Sequence, residues 1–150
     1  MSKFNPMLIT LALGTTLLLA ATDASARDNR SMWSVADAMA TSDAQAQLTG
    51  DIQFHFGDGN HPAVDRTIGN WMSNKKTNAF NKSDEAACQR AFLSAMISLQ
   101  QRAQREGGDA VVNIVSYYKK NRVSSETEFE CGAGNVVAGV TLRGDVVRLK

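Results

Sequence analysis

The stretch from Ser83 to Lys120 constrains the fold more than any other. Between Asp84 and Glu106, the residues Cys88, Ala91, Phe92, Ala95, Met96, Leu99 and Ala103 recur at three- and four-residue steps. That spacing puts them on one stripe of an α-helix. Ser83 supplies an N-cap, and Asp84 and Glu85 sit in the electropositive first turn. Gly107-Gly108 provides a left-handed stop. Ala110 to Tyr118 then carries Val111, Val112, Ile114 and Val115, apolar on both faces as in a central strand covered on both sides. Asn113 interrupts that run. A buried amide left without partners costs about 1–3 kcal/mol, so Asn113 is expected to bind nearby backbone.

The remaining segments read as strands that cover this helix. Ile52, Phe54 and Phe56 alternate with Asp51, Gln53 and His55, the pattern of a half-buried strand. Gly57-Asp58-Gly59-Asn60 is turn chemistry, and Val64 to Met72 is expected to return as the hairpin partner, with Trp71 anchored on the core. Phe129 to Cys131 reads as an edge, Gly132-Ala133-Gly134 as a flexible link, and Val136 to Leu142 as a strong strand. Arg143-Gly144-Asp145 reads as a tight turn before a short final strand, Val146 to Leu149. Upstream, Arg27 to Arg30 reads as a loose end, and Ser34 to Leu48 as helical with a break at Thr41-Ser42-Asp43. The expected architecture is α+β: a small, mainly antiparallel sheet packed on one long amphipathic helix. The domain spans residues 51–150, and residues 27–50 form a helical N-terminal segment before it.

Residues 1–26 read as a cleaved signal peptide. Lys3 is the positive n-region, Met7 to Ala21 the apolar run, and Ala24-Ser25-Ala26 the small-residue cleavage site. A bilayer span needs roughly 20 apolar residues, so no integral membrane anchor is expected after cleavage. The expected compartment is periplasmic or secreted. Two cysteines, Cys88 and Cys131, make a disulfide candidate there. The bridge would close a loop of about 44 residues, valued at roughly 4 kcal/mol by loop-closure entropy. Two buried free thiols are the alternative, since free cysteine packs as a small hydrophobe. The formal net charge of +1 argues against a nucleic-acid partner, which calls for a basic stripe.

Two groups of side chains are candidate sites. His55, Asp58 and His61 flank one turn and carry ligand types suited to a transition metal. Asn74, Lys75, Lys76, Asn78 and Lys82 form a basic, amide-rich stretch. Its charge suits an anionic envelope component or an acidic face of an envelope protein. No nucleophile can be placed beside the histidines, and no cofactor motif is present, so the expected role is structural or binding rather than enzymatic.

The tract Ala110–Ser116, followed by Cys131-Gly132-Ala133-Gly134-Asn135-Val136-Val137-Ala138-Gly139-Val140, resembles the RcsF-like and YbjQ-like group of small α+β domains. More closely, Ser73–Asn78 through Ser83-Asp84-Glu85 and Cys88 resembles a family of exported bacterial proteins that carry the label excinuclease ATPase subunit. The resemblance covers about residues 50–145. It implies a disulfide-held α+β domain, with Cys131 at the place of a late disulfide cysteine, and a role in envelope-stress sensing through contacts with other envelope proteins. The chain has fewer cysteines than that pattern and lacks its lipid-anchoring cysteine. The excinuclease label has no physical support: there is no GxxxxGK[ST] loop and no paired CxxC zinc motif.

Overall fold

The helix expected from the apolar stripe is the longest helix in the computed structural model, which describes residues 27–150. The leader reading of residues 1–26 lies outside the described residues. This helix, α3, spans Asp84–Glu106, and the Ser83 Oγ accepts from the Ala86 N–H at 3.1 Å as its cap. Gly107 ends it in the left-handed conformation. Each of the seven stripe residues is at most 1% exposed. Phe92 sits between Phe129, 4.3 Å away between ring centroids, and Phe56, 5.9 Å away. The alanines at 91, 95 and 103 let the helix axis approach a sheet, and the sheet supplies the rest of the core.

That sheet has six strands: β1 (Asn29–Ser34), β2 (Gln53–Phe56), β3 (Val64–Asn78), β4 (Ala110–Ser116), β5 (Glu128–Ala133) and β6 (Val137–Leu149). β6 is its spine. One side of β6 pairs antiparallel with β3 along the whole strand, from Asn78↔Val137 to Val64↔Leu149. The other side pairs first with β5, at Gly132↔Gly139, and then with β4, at Ser116↔Leu142. β1 adds antiparallel to β5, and β2 adds parallel to β4. The class is α+β as expected, but the sheet is mixed and richer in strand.

Four local expectations are corrected. β2 and β3 form no hairpin: β2 joins β4 in parallel, and β3 lies across the sheet on β6. Parallel neighbours need a long crossover, and α3 provides one between β2 and β4. Arg143-Gly144-Asp145 is not a turn, because β6 runs straight through it. Gly144 marks a close approach instead. A Cβ there would lie 2.8 Å from Val111 Cγ1 and 3.2 Å from the Val112 carbonyl oxygen. Phe129 to Cys131 belongs to an interior strand, flanked by β1 and β6. The stretch from Asn29 is not loose but paired with β5. The two short helices that follow, α1 (Val35–Met39) and α2 (Ser42–Gln47), break at Thr41, whose Oγ1 caps α2.

The cysteines form a disulfide. Cys88 of α3 and Cys131 of β5 are joined with their Cα atoms 5.9 Å apart, and both are fully buried. Among the described residues, no helix is long and apolar enough to cross a membrane.

Candidate functional site

Two polar surfaces emerge from this frame, and they share no residue. The first forms where β3 runs out toward α3. Strand side chains alternate between faces, so consecutive residues of β3 part company. Ser73, Lys75 and Thr77 face the helix side, where Lys75 sits opposite core Val140 and is half-buried. Asn74, Lys76 and Asn78 point to the other face and are exposed. The basic stretch is therefore split, and Lys75 and Lys76 do not form one surface.

What joins Lys76 is apolar. The Asn78 Oδ1 accepts from the Phe80 N–H at 2.9 Å, a local turn that leaves Phe80 outward and 60% exposed. Val136, just before β6, and Val137, its first residue, are 60% and 47% exposed beside it. Lys76, Asn78, Phe80 and the two valines line one shallow hollow of about 490 Å³. Beside it, the Lys82 Nζ donates to the Asn78 carbonyl at 3.2 Å. Lys76 and Lys82 are in no ion pair among the described residues.

A larger groove of about 580 Å³ continues from Val136 and Val137 past Lys76 to Tyr118 and Gly132. The Tyr118 ring lies directly on Gly132, where a Cβ would meet the phenol oxygen at 2.1 Å. Its hydroxyl donates to Asp28 at 3.1 Å, and Lys119 pairs with the same carboxylate. The Lys119 ammonium, first, and then the Tyr118 hydroxyl hold the Asp28 carboxyl below its usual range against the opposing effect of burial. Burial and then the Asp28 contact push the Tyr118 phenol above its usual value. Arg27, nearby, pairs with Asp84 in the first turn of α3. Lys76 and Lys82 are thus the cations left at this corner outside ion pairs.

The second surface is an open cleft of about 390 Å³ on the sheet, lined by Asp58, Asn70, Asn113, Arg122, Arg143 and Asp145 with Val115. Its floor is one hydrogen-bonded chain. The Gly59 N–H donates to Asn113 Oδ1 at 2.9 Å, and Asn113 Nδ2 donates to Asp145 Oδ2 at 3.0 Å. Asn70 Nδ2 donates to Asp145 Oδ1 at 2.8 Å, and Arg143 Nε donates to Asn70 Oδ1. Asn113 reaches both partners from a left-handed backbone, φ +52°, at a register shift where β4 meets β6. The expectation that it binds backbone is met by Gly59, and the carboxylate partner is additional. At the lip, Arg122 pairs with Asp58 and holds that carboxyl below its usual range, helped by Ser124.

The proposed metal triple is not assembled. Asp58 turns to Arg122, His61 Nδ1 donates to the Pro62 carbonyl at 2.8 Å, and His55 Nε2 lies 3.3 Å from Gln53 Oε1. Among the described residues, no group of three His, Cys, Asp or Glu side chains is placed to hold a metal ion. Burial, and then the charge of His61, lower the His55 pKa.

No protein family, curated protein or solved structure matches the chain. Sequence reasoning found Asn74, Lys76, Asn78 and Lys82 but missed Phe80, Val136 and Val137, which sit in loop-like or strand-like stretches with no periodic signal of exposure. It also missed Asn70, Arg122, Arg143 and Asp145. Asn113, polar within an apolar run, and Asp58, singled out as a metal-ligand candidate, pointed toward that cleft.

Proposed function

We propose that the protein acts outside the cytoplasm as a non-enzymatic binding protein of the cell envelope, docking through its Phe80–Val136–Val137 corner onto an acidic face of a partner protein. The observation that carries this reading is the exposed apolar trio set beside Lys76, with Lys82 hydrogen-bonded to the neighbouring Asn78 carbonyl. Exposed apolar side chains grouped together and rimmed by charge are typical of interaction surfaces. The two lysines fit an acidic counterpart and would speed encounter more than they add affinity. The adjoining groove favours a protein over a flat lipid surface, because its concavity suits an inserted side chain. The disulfide and the lack of a membrane-crossing helix among the described residues are compatible with a periplasmic or secreted protein. The resemblance to RcsF-like domains points the same way, since those proteins work through contacts with other envelope proteins.

A photo-crosslinking residue placed at position 80 in intact cells tests the reading. It should trap a defined protein adduct, which Lys76→Glu with Lys82→Glu weakens and a compensating charge reversal on the partner restores. Adducts to lipid alone, or a protein adduct indifferent to both lysines, would overturn it.

A further inference from the structure

The cleft floored by Asn113 carries a charge pattern that selects its ligand. We propose that it binds a small zwitterion of the amino-acid class, with the ligand carboxylate on Arg143 and its ammonium group on Asp58. The cleft is lined by two guanidinium groups and two carboxylates. A simple anion would meet Asp58 and Asp145 as well as the arginines, and a simple cation would meet both arginines. A ligand bearing both charges meets favourable groups at each end.

The residues are not equally available. Asp145 has both oxygens taken by the amides of Asn70 and Asn113, so it serves the floor. Arg143 is held differently. Its Nε donates to the neutral Asn70 carbonyl oxygen, and its guanidinium lies over the Tyr117 ring at 5.5 Å. It lines the cleft and is in no ion pair among the described residues, so its held guanidinium has no carboxylate partner there. A planar guanidinium fork held this way matches a carboxylate in two parallel bonds. Across the cleft, Asp58 and Arg122 form an ion pair in which each side chain is 52% exposed. Exposed pairs of this kind hold weakly, so Asp58 can accept an incoming ammonium while keeping its contact with Arg122. The volume, about 390 Å³, accommodates a free amino acid or the end of a short peptide.

Amide chemical shifts of the oxidised protein, followed while pools of the common amino acids are added, test the assignment. At least one pool should move the Gly59, Asn113 and Asp145 signals saturably in the millimolar range. Acetate and methylammonium, each carrying one of the two charges, should leave them in place at the same concentrations. Arg143→Gln and Asp58→Asn alter exposed side chains, and each should weaken the binding about tenfold or more. The proposal fails if no pool moves those signals, if acetate moves them as far as any amino acid does, or if Arg143→Gln binds as the wild type does.

Discussion

Asn113 offers the sharpest energetic test of the cleft. Its side chain accepts from Gly59 and donates to Asp145, and its backbone sits at φ +52° inside a strand whose other residues are almost wholly buried. Replacing it by alanine removes both bonds. The one to the neutral backbone contributes about 1 kcal/mol, and the one to a carboxylate about 1.5–3 kcal/mol, nearer the lower figure because the site is partly wet. Alanine also meets the left-handed backbone without the local hydrogen bonding that makes asparagine tolerable there, which adds about 1 kcal/mol. The expected loss for Asn113→Ala is then about 3–4 kcal/mol. Asn113→Gly loses the same bonds but relieves the backbone, so its loss should be smaller by about 1 kcal/mol. Equilibrium urea denaturation reads both as shifts in midpoint at unchanged slope. An alanine variant as stable as the glycine variant would show that the left-handed backbone carries no strain. Two variants within about 0.5 kcal/mol of wild type would show that the amide bridge does not hold the bulge.

Two further outcomes follow from the core and from the histidines. Breaking Cys88–Cys131, by reduction or by Cys88→Ala with Cys131→Ala, should cost about 4 kcal/mol, since the linked residues are separated by 43 positions. Urea midpoints of the oxidised and reduced wild type measure it, and coincident midpoints would refute the assignment. His55 should make the fold acid-sensitive. Burial lowers its folded pKa below the usual 6.5, so the unfolded chain binds more protons as the pH falls through that value. The stability is fully present above pH 6.5 and declines below it, by a small step because the ring is only partly buried. His55→Gln should flatten the decline in urea midpoints between about pH 7 and about pH 5, and an unchanged slope would assign the acid sensitivity elsewhere.

How much of this was legible in the sequence depends on how local each signal is. The stripe on α3 could be read because a 3.6-residue period, a serine cap and a glycine stop are all written within one segment. The disulfide could be inferred from an even cysteine pair alone. Strand partners could not, because pairing is decided between segments far apart in the chain. Gln53–Phe56 has a clear strand pattern, yet nothing within it says that its neighbour is Ala110–Ser116 and not the strand that follows. The same holds for Gly144. Between an arginine and an aspartate, a glycine looks like a turn, and only the approach of Val111 shows that it makes room within a continuous strand. The basic stretch needed the strand assignment first, since a period of two separates Lys75 from Lys76 where loop-like composition groups them.

The same period of two connects the disulfide to the docking groove. Cys131 and Gly132 are neighbours on β5 and face opposite sides of the sheet. One is bonded into α3, and the other lies beneath the Tyr118 ring as part of the groove. β5 meets β6 through only two paired positions, Gly132↔Gly139 and Ala133↔Ala138. Its placement therefore leans on β1 along one edge, on the stacking of Phe129 against Phe92 and on the sulfur link to the helix. The strand stapled to the core through Cys131 on one face carries, through Gly132, the seat of Tyr118 on the other. Tyr118 in turn donates to Asp28, and Asp28 pairs with Lys119. Loss of the disulfide is expected to loosen the groove through β5 even under conditions in which the helix stripe keeps the rest of the core together.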